Sequence, residues 1–253
     1  MSLLKKFFYE YLKLIPTNEY YIGLTDRLEV YENQYSEEYF KKVDDIYKKY
    51  KNLLKKEKNK DSDDNQLLKY EIDSYYKLKD KASNKKTPSQ KSEYNTKVDL
   101  LPISNFHNSV IFFIEFMTTF YKIRDIKDLE NFNKIFINYL PTFDDYIRLM
   151  KKGIEEGIVL SKFVTKIIIK QLEELLNNKE YIIKIDKKYR KHELYKEFKK
   201  NIIPKYEEKL IELINYLKKI YLPKSLNKIG YYNLPNGKEI YQSLINSTLT
   251  TSK

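Results

Sequence analysis

The chain has 253 residues, of which 42% are hydrophobic and 15% aromatic, so it is long enough and apolar enough to bury a core. It contains no Cys, which excludes disulfides and thiolate zinc sites, and only 5 Gly and 7 Pro, too few turn residues for an all-β sandwich. The 48 Lys and Arg residues exceed the 36 Asp and Glu residues, which gives a formal net charge of +12.

Apolar residues spaced by three and four begin at the amino terminus and predict an all-α fold. A first helix is predicted over residues 3–14 and is ended by Pro16. Ser36 is a suitable N-cap for a long amphipathic helix that continues through Leu54.

The middle of the chain changes from polar to strongly apolar. A helix is predicted from Leu68 to about Leu78, and the polar stretch 80–96, which lacks apolar periodicity, predicts an exposed flexible loop. From Leu100 the chain becomes much more apolar, and a segment that begins with Leu101-Pro102-Ile103 runs through Val110 to Phe120.

Two helices are predicted on either side of Pro141. Asp125 or Asp128 is expected to cap the first, which Pro141 closes. Thr142 is expected to cap the second, over Phe143–Lys152, with Gly153 at its carboxyl end.

Helical periodicity continues to the last residues. Ser161 is expected to start a helix through Leu176, and two more helices are predicted over 189–200 and 203–221, with a last one from Asn236. We predict one helical domain over 1–253, an irregular bundle of eight to ten helices. The predicted core includes Phe112, Phe113, Phe116, Phe132, Phe136, Ile168, Leu172, Leu210 and Leu217.

Residues suited to catalysis or metal binding are scarce. The only two His are His107 and His192, and the second begins His192-Glu193-Leu194-Tyr195-Lys196, where a zinc helix needs a second His at the fifth position. Adjacent carboxylates such as Asp144 and Asp145 diverge by about 100° on a helix. We therefore predict no catalytic residue, no metal ligand and no cofactor, and we expect that the two imidazoles do not meet.

The excess positive charge is concentrated in residues 179–228, where 15 Lys and Arg minus 7 Asp and Glu gives +8. Such a region is a candidate surface for nucleic acid. Lys is abundant throughout the chain, however, whereas Arg, which forked phosphate and base recognition favours, is scarce. Nucleic-acid binding is therefore the weakest of the functions considered.

Several short motifs together resemble a known family. The final one is Leu234-Pro235-Asn236-Gly237 followed by Tyr241 and a Thr-rich end. The order and spacing of these motifs resemble the amino-terminal half of domain-of-unknown-function family 885 (DUF885), whose members are similar to helical, zincin-like zinc peptidases. The other motifs are Pro16-Thr17 with Gly23, Leu100-Leu101-Pro102-Ile103, Met150-Lys151-Lys152-Gly153-Ile154-Glu155-Glu156-Gly157-Ile158, and Leu222-Pro223 with Gly230.

The resemblance implies a scaffold that forms one wall of a cleft. In the family, the His-Glu-x-x-His helix and the remaining zinc ligand belong to the carboxyl-terminal half, which this sequence does not contain. The resemblance implies that Leu234, Pro235, Gly237 and Tyr241 line the cleft, with Gly230–Thr251 on or beside a concave surface. No catalytic or metal-binding residue can be carried over.

Three functions remain open at this point. The first is a non-catalytic half that is inert alone or acts with a second chain carrying the missing half. The second is a helical protein-interaction module, including self-association, and the third is the nucleic-acid binder. Because the sequence shows no signal peptide and no membrane span, we expect an intracellular, cytoplasmic protein.

Overall fold

A computed structural model describes residues 1–59, 61–82, 97–105, 108–183 and 185–248. These residues form nine helices and no strand, so the all-α multi-helix bundle is confirmed. The first seven helices are α1 Leu3–Leu12, α2 Pro16–Tyr21, α3 Glu37–Lys56, α4 Asp63–Ala82, α5 Ser109–Glu115 with a π-helical turn at Phe116–Phe120, α6 Ile126–Glu156 and α7 Lys162–Asn178.

The last two helices differ in regularity. Helix α8 joins the α-helical segments Glu193–Glu197, Ile203–Tyr216 and Leu222–Lys224 through π-helical turns at Phe198–Ile202 and Leu217–Tyr221. Helix α9 spans Gly237–Thr248. The sequence predicted two separate helices, over 189–200 and 203–221, where α8 is continuous. Pro204 lies at the start of the Ile203–Tyr216 segment, where Pro is tolerated.

Three of the N-caps predicted from sequence are confirmed, whereas the one predicted at Thr142 is not. The Ser36 hydroxyl accepts from the Tyr39 amide at 3.1 Å, and the Ser161 hydroxyl accepts from the Val164 amide at 3.3 Å. Of the two candidates for α6, Asp125 is the N-cap and accepts from the amide of Asp128 at 2.9 Å. Each cap satisfies an amide that the first helical turn leaves without a partner.

The prediction that a helix ends at Pro141 and a new one begins at Thr142 is wrong. Helix α6 runs without interruption through Pro141. Pro141 has no amide hydrogen to donate to the carbonyl of Ile137, one turn earlier. Both residues are exposed. Because that carbonyl lies on the solvent side, water can take the place of the missing amide, and the helix continues through Pro141.

The predicted end of this helix at Gly153 is also wrong. The helix ends at Gly157, whose φ of 71° lies in the left-handed region. The amide of Ile158 donates to the carbonyl of Gly153 at 2.8 Å, and the amide of Gly157 to that of Ile154 at 3.3 Å. This pair of bonds is the Schellman ending of a helix.

Two boundaries in the amino-terminal half also differ from prediction. Helix α1 ends at Leu12, and Pro16 is the first residue of α2 instead of the end of α1. Helix α4 extends to Ala82, so 80–82 are helical, and the rest of the loop predicted over 80–96 lies outside the described residues.

Most of the predicted core is confirmed, with two exceptions on α5. Seven of the nine residues are completely buried, but Phe112 is 50% exposed and Phe116 is only partly buried. The buried face of α5 contains Val110, Phe113 and Met117, which recur at three and four residues, so Phe112 points outward.

The helices α1, α3 and α4 form their own apolar cluster. The ring of Phe7 contacts those of Tyr47 and Tyr50 edge-on, with centroids 5.2 and 5.3 Å apart, and Tyr47 stacks on Tyr75 at 3.8 Å. Helix α9 packs along α4 and so joins this group to the end of α6.

Among the described helices, none is both long and apolar enough to cross a bilayer.

Candidate functional site

The segment that leads into α9 is folded tightly on itself. Gly230, with a φ of 100°, precedes a 3-10 turn at Tyr231–Asn233. The amide of Leu234 donates to the carbonyl of Tyr231 at 2.9 Å, and the amide of Gly237 donates to that of Leu234 at 2.8 Å. These successive turns place the first residue of α9 directly against the 3-10 turn.

Gly237 is required by this close approach. An added Cβ would lie 1.9 Å from the carbonyl oxygen of Tyr231, a distance that no side chain tolerates. Burial also raises the pKa of the Tyr231 phenol. The turn and the helix therefore touch through backbone, with no room for a side chain between them.

The same segment contacts the end of α6. A Cβ added at Gly157 would lie 3.3 Å from Cγ of Pro235, so the two residues are in close contact. A Cβ at Gly153 would lie 2.5 Å from the carbonyl oxygen of Ile158 and 3.1 Å from that of Leu100. Segments that are distant in sequence thus converge around these two glycines.

An apolar cluster lies beneath this convergence. Leu100, Leu149 and Ile158 are completely buried within it, and residues of α3 and α9 complete it. Three of the sequence motifs noted above therefore meet at one place, namely the Leu100–Ile103 motif, the Gly153–Ile158 motif and the Leu234–Gly237 motif. The full set of buried members is Phe40, Leu100, Leu149, Ile158, Leu234 and Ile240.

The structure separates the four predicted cleft-lining residues into two pairs. Leu234 is 8% exposed and Gly237 is buried, so both serve to anchor the segment. Pro235 is exposed, and Tyr241 is 51% exposed one helical turn after Gly237. Of the four, only Pro235 and Tyr241 are exposed at the surface.

A family comparison matches nearly the entire chain. The model described as "Bacterial protein of unknown function (DUF885)" matches residues 16–253. The chain belongs to the DUF885 family. No curated protein and no solved structure matches it.

In this DUF885 protein, His192-Glu193 matches the first half of a zinc-binding His-Glu-x-x-His motif but has another local role. His192 is the N-cap of α8, and its Nδ1 accepts from the amide of Leu194 at 3.2 Å. Lys196, which occupies the position of the second imidazole, lies 2.5 Å from a carboxylate oxygen of Glu193. His107 lies outside the described residues, so the expectation that the two imidazoles do not meet stays a prediction.

Candidate metal ligands do not converge elsewhere in the described ranges. Within these ranges, no group of three or more His, Cys, Asp or Glu side chains is placed to hold an ion. The described residues form open grooves that include three of about 430, 430 and 670 Å³, and residues 230–248 line none of these three. The expected concave surface beside this segment therefore stays a prediction.

An ion-pair cluster at the start of α6 was not predicted from sequence. Arg27 donates to both carboxylate oxygens of Asp125, at 3.1 and 2.8 Å, and lies 3.2 Å from Asp128. Arg124 lies 2.9 Å from the other oxygen of Asp128, which is only 1% exposed. The sequence has only four Arg residues, and two of them form this cluster. The rarity of Arg was therefore the sequence feature from which the cluster could have been predicted.

Proposed function

We propose that this DUF885 protein is a non-catalytic helical scaffold that resembles the amino-terminal half of a zinc-peptidase-like protein. It acts with a second polypeptide, which docks against the segment Gly230–Thr248. That polypeptide supplies the His-Glu-x-x-His helix and therefore the metal chemistry. The segment is called the wall segment below.

The observation that carries this proposal is the rigid anchoring of the wall segment. Gly237 abuts the Tyr231 backbone, Pro235 abuts Gly157, and Leu234 enters a buried cluster. Three motifs distant in sequence thus hold a short segment in one position. A preorganised surface of this kind loses little freedom when a partner binds, which favours docking.

The outer side of the wall segment is suited to contact. Tyr241 is half exposed on the first turns of α9, and Pro235, which precedes this helix, is also exposed. Tyr is enriched in protein interfaces because it combines a large apolar area with a polar end. Self-association through the same surface is the second candidate function, favoured by the same exposed tyrosine.

The available side chains support a scaffold more than an enzyme. The sequence has two His, no Cys and no His-Glu-x-x-His motif. His192 caps a helix with one nitrogen, and Lys196 places a positive charge where a metal ligand is needed. A catalytic zinc site requires three protein ligands around one ion, a number that this sequence supplies only with carboxylates.

The test is a combined metal and hydrolysis assay on the purified chain. The chain is incubated with zinc, separated from free metal, and analysed for bound zinc and for cleavage of a fluorogenic peptide library. We expect no retained zinc and no cleavage. One zinc per chain, together with cleavage that a chelator abolishes, would overturn the proposal. A His192→Ala variant is the control, and its zinc content should equal that of the parent.

A further inference from the structure

A short backbone bridge joins the amino end of α7 to the carboxyl end of α8. Ser161 and Leu226 form an isolated parallel β-bridge, in which the Lys162 amide donates to the Leu226 carbonyl at 2.7 Å. The hydroxyls of Thr165 and Ser225 are 2.9 Å apart beside it. The bridge therefore brings the beginning of α7 and the residues that follow α8 next to each other.

Three large apolar side chains near this bridge are exposed. Phe163 is 60% exposed, Ile229 is 62% exposed and Tyr232 is 68% exposed. Phe163 lies on the first turn of α7, opposite the buried Thr165 and Ile168. These side chains are exposed to solvent and line none of these three grooves. Large apolar groups exposed in neighbouring segments indicate a contact surface.

The two chain segments that carry these side chains contain Lys but no acidic residue. Residues 157–170 and 222–238 contain six Lys and no Asp or Glu. Lys162, Lys166, Lys224 and Lys228 are exposed, and none of the four makes an ion pair with another described residue. Elsewhere many lysines are paired, as Lys209 is with Asp144. The positive charges of these four lysines are therefore available to a partner.

We propose that this face binds the surface of an anionic lipid bilayer. The face consists of Lys162, Phe163, Lys166, Lys224, Lys228 and Ile229, with Tyr232 at its edge, and it is called the basic–apolar face. Projecting aromatic and aliphatic groups enter the interfacial region of a bilayer, while lysines contact the anionic headgroups. Each lysine near such a surface strengthens binding by roughly fivefold.

A bilayer fits this face better than a nucleic acid does. Arg, which contacts phosphate with two donors, is absent from both segments. Ile229 is aliphatic and Tyr232 lies in a 3-10 turn, so these two side chains do not form a stacking platform for successive bases. Since no described helix spans a bilayer, the binding is peripheral.

The test is co-sedimentation of the intact protein with lipid vesicles. Vesicles of phosphatidylcholine alone are compared with vesicles containing phosphatidylcholine and phosphatidylglycerol in equal parts, at low and high salt. We expect binding only to the mixed vesicles, weakened by salt because salt screens exposed charges. A Lys166→Gln/Lys228→Gln variant should bind roughly 25-fold more weakly, and Phe163→Ser/Ile229→Ser should also lose binding.

A matched variant removes equal charge elsewhere. Lys48→Gln/Lys69→Gln changes two exposed lysines of α3 and α4 and should bind the mixed vesicles like the parent. All substituted residues are exposed, and circular dichroism of each variant checks that the helices are intact. The proposal is overturned by absence of binding to mixed vesicles, or by equal losses in the control. Binding to single-stranded oligonucleotides but not to vesicles would also overturn it.

Discussion

Glycine has two distinct roles at the wall segment. Gly157, which contacts the wall segment, adopts a left-handed φ of 71° that ends α6. Gly237 is required for another reason, since the backbone of Tyr231 leaves no room for a Cβ at this position. Gly23 provides a contrast, since its φ is 77° but an added Cβ would meet nothing within 4 Å. Backbone conformation and steric exclusion can therefore be tested separately.

Replacement of Gly237 by Ala should be the more damaging of two glycine substitutions. The new Cβ cannot avoid the Tyr231 carbonyl, so we expect a loss of about 2–3 kcal/mol in the free energy of unfolding. Gly23→Ala should cost only about 1 kcal/mol, the cost of a left-handed conformation. Urea unfolding followed by circular dichroism measures both. Equal losses would show that α9 shifts freely and that the wall segment is not anchored.

The carboxylate of Asp125 should make stability depend on acid pH. Its hydrogen bonds with Arg27 hold the pKa of Asp125 well below its usual range. A lowered pKa in the folded state gives stability that is fully present above the ordinary Asp pKa of about 3.9 and is lost as the pH falls below it. In an Asp125→Asn variant, Asn can still cap the helix but has no carboxylate, so the pH-dependent contribution to stability is removed.

The measurement is the free energy of unfolding of parent and Asp125→Asn across the acid range. We expect the parent to be the more stable at neutral pH and the difference to shrink as the pH falls below about 3.9. A difference that stays constant over the entire range would mean that the ion pair with Arg27 contributes nothing.

Helix α6 shows how an element can contradict a strong local signal. Its 31 residues include Pro141, and its inward face contains Phe132, Phe136 and Tyr139, all fully buried. The free energy gained by burying this face exceeds the cost of the one hydrogen bond that Pro141 removes, so a continuous helix is favoured. The exposed position of Pro141 allows water to reach the unpaired carbonyl.

Pro141→Ala should therefore stabilise the protein. The substitution restores an amide to the helix and relieves the clash with the preceding turn, while the unfolded chain gains some freedom. We expect a net gain of about 1–2 kcal/mol in the free energy of unfolding. Thermal and urea unfolding measure the gain. A loss of stability would mean that the proline sets a bend on which the packing of α6 depends.

Local chemistry explains which elements could be predicted from sequence. Ser36, Asp125 and Ser161 were predicted correctly because an N-cap acts within three residues. The continuity of α6 and α8 was missed because it depends on packing against other helices. Similarly, the motif that ends at Gly237 was found from sequence. The burial of Leu234 and Gly237 was not, since Leu234 is covered by an apolar cluster that includes Leu149 and Ile158, and Gly237 packs against the Tyr231 backbone. These contacts are formed only by the fold.

At the scale of the molecule, the wall segment connects two apolar regions. Helix α9 packs along α4 in the amino-terminal group, and Leu234 and Ile240 enter the cluster that contains Leu149 of α6. The segment is therefore fixed by both groups of helices, while Tyr241 remains half exposed. This arrangement is the basis for proposing a docking surface.

The most direct test of that proposal is site-specific photocrosslinking in cells that naturally contain the protein. Tyr241 is replaced by p-benzoylphenylalanine, and Ile137, which is 47% exposed on α6, is replaced in the control. We expect irradiation to link position 241, but not position 137, to a second polypeptide that carries a His-Glu-x-x-His motif. An adduct between two copies of this chain, identical adducts from both positions, or no adduct from position 241 would contradict the account.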